Sequence, residues 1–139
     1  MTTRLPGDIR SVLDNGIPAL MVTCSAAGVP NVTVISQVYY VDEGHAALSF
    51  QFFNKTIRNI RENPRACVWL FDIEGLSNWV LQLEFERSET EGAVFDAMDM
   101  QIEAIASATG MSGIFKLRAA DIYRVLSVEK VTASGRGRA

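Results

Sequence analysis

The stretch from Leu48 to Leu70, LSFQFFNKTIRNIRENPRACVWL, decides the fold because it joins two strand patterns through one short helix. Side chains alternate through residues 48–53 as they do on a strand. A turn at Asn54 opens a helix of one or two turns. Pro64 closes this helix because proline disfavours the helical conformation at the residue before it. Residues 66–71 then predict a second strand.

The start of this helix is suited to bind a phosphate group. Asn54 or Thr56 can cap the helix by accepting a backbone N–H. Lys55, Thr56 and Arg58 add a hydroxyl and two cations within the first turns. Free N–H groups and the helix dipole favour an anion at a helix N-terminus. The alternative is an ordinary strand–helix–strand connection whose basic side chains are only solvated.

The segment QFFNKTIRNIRENPRACV, residues 51–68, resembles the pyridoxamine 5'-phosphate oxidase-like family of FMN-binding split β-barrels. In that family a strand enters a polar-basic turn, and a short helix and an Asn-Pro-Arg-Ala element follow. The order of elements from about Ile17 to Val131 also fits. The resemblance implies that the turn holds the phosphate of FMN, with coenzyme F420 or haem as alternative ligands. It further implies a homodimer with two cofactor sites at the interface.

The resemblance also implies which residues contact the cofactor. At the turn, Thr56 stands where the family usually has a second basic residue, and Arg58 or Arg61 could compensate. Gln37 offers a donor and an acceptor to the pyrimidine edge of a flavin. The expected cofactor-binding residues are Ser36, Gln37, Val38, Phe50, Gln51, Asn54, Lys55, Thr56, Arg58, Trp79 and Gln82. Tryptophan in a strand is more often a core residue, and we expect Trp69 to be one. No catalytic side chain is assigned.

The rest of the chain predicts more strands, separated by turns, and two further helices. The predicted elements are a short helix around Leu5–Leu13, strands Ala19–Cys24, Asn31–Val41 and Ala46–Phe53, an alternating strand Trp79–Arg87, a helix from Glu89 to about Ala108 and a strand Ile122–Val131. This pattern predicts a mainly β (α+β) fold, a six-stranded antiparallel split β-barrel with peripheral helices. We expect a single domain over residues 1–132 and a disordered tail over residues 133–139.

Composition excludes several classes of function. The chain has 139 residues, is 48% hydrophobic and 21% charged, and carries a net charge of −3, so a nucleic-acid partner is not expected. Cys24 and Cys67 lie in apolar strand patterns and are expected to be core residues. His45 is the only histidine, so we expect no metal site, and the residue itself is expected to be exposed and inert. No apolar run is long enough to span a membrane, which predicts a soluble cytoplasmic protein.

Three functions fit these patterns. The first is a flavin-dependent oxidoreductase acting on a small molecule with a separate electron donor, in which the flavin supplies the chemistry. True pyridoxamine phosphate oxidases grip the substrate with a C-terminal Arg-x-His element, whereas no histidine follows His45 here. We therefore expect a different substrate. The second is a non-catalytic module that binds flavin, F420 or haem as a sensor or carrier. The third is a dimeric barrel that has lost its cofactor.

Overall fold

The computed structural model describes residues 3–15, 19–50, 54–108, 110, 116–132 and 135–138. Within these residues the chain forms three helices and eight strands. In chain order they are α1 (Ile9–Asn15), β1 (Ala19–Cys24), β2 (Pro30–Ile35), β3 (Val38–Asp42), β4 (His45–Phe50), α2 (Asn54–Glu62), β5 (Arg65–Asp72), β6 (Ser77–Glu89), α3 (Ala93–Ala108), β7 (Ala119–Thr132) and β8 (Gly135–Arg138).

The strands form one antiparallel sheet in the order β2-β1-β5-β6-β7-β4-β3, and β8 pairs with β7 beside this path. The two longest strands, β6 and β7, lie at the centre and shift register twice along their pairing. Such irregularities bend and twist a sheet, which lets it curve into a barrel. The predicted mainly β split barrel with peripheral helices is therefore confirmed. The path has seven strands where six were predicted.

The extra strand arises because residues 31–41 do not form one strand. They form β2 and β3, which lie at opposite ends of the sheet and are joined through Ser36 and Gln37. Ile35, Gln37 and Val38 are all buried. A continuous strand cannot bury both Gln37 and Val38 on one face, because its side chains alternate with a period of two. The apolar composition of this stretch gave no sign of the change of face.

The core lies inside the curved sheet and beneath two helices. The inward side chains of β5 and β6 alternate with outward ones and meet the apolar side of α1. This first cluster includes Ile9, Val12, Val68, Leu70, Trp79, Leu81 and Leu83. A second cluster lies beneath α3, where Met98 and Ile102 pack against Ala47, Leu117, Ala120 and Ile122. Helices α1 and α3 are thus held by apolar burial, as the spacing of their apolar residues predicts.

Two further regions differ from expectation. Residues 135–138 pair with β7 as strand β8, where a disordered tail was expected. Cys24 and Cys67 are half-buried and belong to neither core cluster. None of the helices in the described part of the chain has the length and hydropathy of a membrane span.

Candidate functional site

Helix α2 is fixed over strands β1 and β2 by two side-chain hydrogen bonds. The Asn59 side-chain amide donates to the Thr23 hydroxyl at 3.1 Å, between two buried side chains. The Asn31 amide donates to the Thr56 hydroxyl at 3.4 Å, at the first turn of the helix. These contacts and the burial of Ile60 define the inner side of α2. The start of the helix is consequently held in place next to the edge strand β2.

The outer side of α2 carries three cations, Lys55, Arg58 and Arg61, which are exposed. Among the described residues none of the three forms an ion pair. Most other cations of the described part are engaged. Arg4, Arg65, Arg87 and Arg124 pair with glutamates, and Arg10 and Lys130 lie over aromatic rings. The first turn of α2 also holds no acidic residue. In a chain of net charge −3, this concentration of cations without an ion-pair partner among the described residues favours an anion.

Two adjoining cavities lie beneath α2. A small one is lined by Met21, Ile35, Leu48, Ser49, Thr56, Ile57, Asp121 and Tyr123. A second, of about 140 Å³, is lined by Ile57, Ile60, Arg61, Phe85, Ser88 and Asp121. Ile57 and Asp121 are common to both. Both cavities have mixed apolar and polar linings, and the larger, at about 140 Å³, is smaller than a typical small-molecule site.

Asp121 is a buried acid at this site that sequence reasoning missed. It is 4% exposed, and the Ser88 hydroxyl donates to its Oδ1 at 2.6 Å. Burial raises the pKa of Asp121, although the bond from Ser88 acts in the opposite direction. The Ser49 hydroxyl beside it is buried without a partner in the described part of the chain. The available signal was an aspartate inside the apolar run of residues 119–123.

None of the three predicted cofactor contacts Ser36, Gln37 and Val38 lines the cavities beneath α2. Gln37 and Val38 line a separate cleft between α1 and α3. The Gln37 amide nitrogen donates to the Met98 carbonyl oxygen at 3.2 Å and to Gln101 Oε1 at 2.6 Å. Ser36 is half-buried at the bend between β2 and β3. A flavin contact from these residues stays a prediction.

Trp79 and Gln82, the predicted contacts on β6, point to opposite sides of the sheet. Trp79 is 1% exposed within the first core cluster, with Lys130 Nζ 5.0 Å from its ring centre. Gln82 is exposed, and its amide donates to Cys67 Sγ at 3.5 Å. Trp69, expected in the core, is 41% exposed, so that expectation was wrong.

Of the other predicted contacts, Lys55, Thr56 and Arg58 all lie on the first turns of α2. Gln51 lies outside the described residues, as do the side chains of Phe50 and Asn54. The structure therefore brings the basic and hydroxyl members of the predicted set together at one helix start.

The side of the sheet that bears Gln82 is an apolar surface, here called the outer face. Its exposed apolar side chains are Val32, Val34, Trp69 and Phe71. They line up across strands, since Leu20 pairs with both Val34 and Trp69, and Val22 with both Val32 and Cys67. A contiguous exposed apolar patch of this kind is typical of an interaction surface.

His45 lies between two carboxylates. The sequence had suggested an exposed histidine without a partner, so that expectation was wrong. Its Nδ1 lies 2.9 Å from Asp42 Oδ1, and its Nε2 lies 3.0 Å from Glu86 Oε2. The hydrogen bond to Asp42, with a further contribution from Glu86, raises the pKa of His45 despite partial burial. Among the described residues no group of three or more His, Cys, Asp or Glu side chains is arranged to hold a metal ion.

Solved structures with the same fold support this description. An FMN-binding protein from Syntrophomonas wolfei subsp. wolfei matches with a TM-score of 0.71 at 17% identity, over 88% of this chain and 83% of that chain. An F420 reductase matches with a TM-score of 0.65 at 14% identity, over 89% and 98% of the two chains. HutZ, the haem storage protein from Vibrio cholerae, matches with a TM-score of 0.59 at 16% identity, over 90% and 93%. At these identities the likeness shows the fold alone.

The fold and the candidate site define a class of protein, a split barrel with a basic helix after its fourth strand. The family profile described as pyridoxamine 5'-phosphate oxidase matches residues 5–126. The chain therefore belongs to the pyridoxamine 5'-phosphate oxidase family. A comparison with curated protein sequences finds no significant match.

Proposed function

We propose that this chain binds FMN, with the flavin phosphate at the start of α2, and that it is a flavin-dependent oxidoreductase acting on a small molecule. The observation that carries the proposal is the pair of cations on the first turns of α2, Lys55 and Arg58, which have no carboxylate partner in the described part of the chain. Membership of the family adds to it, as does the FMN-binding protein of the same fold.

The residues at the helix start fit a phosphate. The backbone N–H groups of the first turn have no acceptor within the helix, and Lys55 and Arg58 add charge on its exposed side. The Thr56 hydroxyl accepts a bond from Asn31, so its own proton remains available for a phosphate oxygen. The Thr56 hydroxyl thus supplies one donor on the buried side of α2, whereas Lys55 and Arg58 supply the charge on its exposed side.

We further propose that two copies of the chain associate through the outer face. The exposed side chains of β2 and β5 supply the apolar area, and Gln82 lies beside them. A second copy would cover Trp69 and Phe71, which a monomer leaves partly in water. A flavin at this boundary would receive Gln82 from the outer face.

The chemistry of the reaction would belong to the flavin, which accepts and donates electrons when bound. The chain would supply position and a dry, shaped pocket. Asp121 beneath α2 is a buried acid, and the Ser88 hydroxyl donates to it at the wall of the cavity. No catalytic role is assigned to them.

The test of FMN binding is reconstitution of the purified chain. Bound FMN should show shifted absorbance and altered fluorescence, and at 100-fold over Kd it should stabilise the fold by roughly 2.7 kcal/mol. If millimolar FMN changes neither the fluorescence nor the melting temperature, the proposal fails and the barrel without a cofactor becomes the better description.

A non-catalytic module that binds flavin, F420 or haem is the second candidate. The haem storage protein of the same fold supports a non-catalytic role, and the F420 reductase of the same fold supports F420 as an alternative ligand. Reduction of the bound flavin by NAD(P)H, and its reoxidation by an acceptor at a useful rate, would favour the enzyme. A loaded chain that NAD(P)H leaves oxidised would favour the module.

A further inference from the structure

A second cleft, of about 320 Å³, opens between α1, the start of β3 and α3. It shares no lining residue with the two cavities beneath α2. The buried side chains of Leu13, Gln37 and Val38 form its floor, and the exposed Asp14 and Gln101 stand at its rim. This volume falls in the range of sites that hold small molecules.

Gln37, which lines the floor of the cleft, carries an acceptor that no described residue uses. Gln37 is 2% exposed, and both hydrogens of its amide nitrogen are engaged, one by the Met98 carbonyl and one by Gln101 Oε1. Because both partners are acceptors, the orientation of the amide is determined. The Gln37 carbonyl oxygen is buried and has no partner among the described residues. A buried acceptor without a donor destabilises the folded chain. A ligand N–H that bonds to this oxygen would remove that cost, because it displaces no existing hydrogen bond of the oxygen.

The charge around the cleft determines which kind of hydrogen-bond donor a ligand can bring to Gln37. Asp14 forms no ion pair within the described residues, and Arg10, one turn earlier on α1, lies over the ring of Tyr40 at 4.5 Å. The rim therefore presents a carboxylate that forms no ion pair with a described cation. An anion would be repelled by Asp14, whereas a protonated amine would be attracted.

We propose that this cleft binds a small ligand with a protonated amine on an apolar body. The ammonium lies between the Asp14 carboxylate and the Gln37 carbonyl oxygen, and the apolar body packs on Leu13, Val38 and Ile105. The exposed side chain of Gln101 moves aside to admit the ammonium to Gln37. The cleft shares no lining residue with the cavities beneath α2, and Gln37 and Val38 then contact this ligand in place of the flavin expected from the sequence.

The test uses the side-chain amide signals of Gln37 and Gln101 in the ¹⁵N-labelled chain, titrated with phenethylamine at millimolar concentration. Both signals should shift and saturate. Phenylacetate has a similar size and the opposite charge, and it should leave them in place. Equal responses to the amine and the acid would overturn the proposal. So would displacement of the amine by FMN, because the cleft would then belong to the flavin site.

Two surface variants separate the cleft from a general charge effect. Asp14→Asn should weaken phenethylamine binding about two- to fivefold, the range for one exposed charge. Asp8→Asn removes the same charge just before α1 and outside the cleft, and it should leave the affinity unchanged. Equal losses in the two variants would contradict the site. Gln37→Leu should abolish the response of Gln101, and the backbone spectrum reports whether that variant is folded.

Discussion

At the residue scale, Lys55 is the side chain whose role can be measured most directly. If its ammonium contacts the flavin phosphate, Lys55→Ala should weaken FMN far more than riboflavin, which lacks the phosphate. A charge-assisted contact is worth roughly 1.5–3 kcal/mol, or about ten- to a hundredfold in Kd. The difference should shrink at high salt, because an exposed charge is screened. Fluorescence titration of both ligands measures it.

Arg65→Ala is the matched control for Lys55→Ala. Arg65 lies beyond the proline on β5 and donates to Glu84 at 3.1 Å, so it is already engaged. Its loss should change FMN affinity little. If Lys55→Ala weakens FMN and riboflavin equally, Lys55 supports the shape of the pocket, and the phosphate should be sought at Arg58 or Arg61.

His45 makes the stability of the fold depend on pH. Its folded-state pKa is raised by Asp42 and Glu86 above an unfolded value of about 6.5. The stabilisation is therefore complete below about pH 6.5 and is lost as the pH rises through the folded-state pKa. His45→Gln should lower the melting temperature in mildly acidic buffer and have less effect in alkaline buffer. A loss that is equal at both pH values would show that the histidine acts through packing alone.

At the scale of elements, the seating of α2 depends on the bond between Asn59 and Thr23. Asn59→Ala leaves the buried Thr23 hydroxyl without its donor, which should cost about 1–3 kcal/mol in the free energy of unfolding. Chemical denaturation measures this loss. FMN affinity should fall as well, because the N-terminal turn of α2 would no longer be held over β1.

The double variant Thr23→Val, Asn59→Leu is the control for this bond. Replacing both polar partners by apolar groups of similar shape should restore part of the lost stability. If the single substitution leaves both stability and FMN affinity unchanged, the bond does not hold the helix. If the double variant recovers stability but not FMN affinity, FMN binding depends on the exact position of α2 as well as on its packing.

At the scale of the whole molecule, the outer face predicts association. Sedimentation should give about twice the 15.3 kDa chain mass. Trp69→Glu places a charge in the centre of the apolar rows and should shift the equilibrium to monomer. FMN affinity should fall with it if the cofactor lies at the boundary between copies.

Ile73→Glu is the matched control for association, because Ile73 is 73% exposed in the turn between β5 and β6. Ile73→Glu adds the same charge as Trp69→Glu but should leave the mass measured by sedimentation unchanged. A clean monomer of the unaltered chain at micromolar concentration, with FMN present, would rule out a site at the interface. If Trp69→Glu sediments with the same mass as the unaltered chain, the interface does not lie on the outer face.

Much of the fold could be read from local patterns. β1 was predicted with its observed bounds, and the helix between residue 54 and the Asn-Pro pair lies where the capping and proline signals put it. These signals act within a few residues of one another, so the chain carries them without help from its tertiary contacts. The resemblance stated from the sequence lies in the same segment, residues 51–68, and the family match extends over residues 5–126.

The antiparallel fold, the family and the basic helix start follow from local signals in the sequence, because alternation, capping and proline act between residues close in the chain. The tertiary structure decided which faces meet. The change of face at Gln37, the exposure of Trp69 and the pairing of His45 with Glu86 depend on residues distant in the chain. The burial of Asp121 beneath α2 likewise requires β4, β6 and β7 to converge. Periodicity shows that a strand has two sides, but only the packing of the sheet determines which side becomes the core.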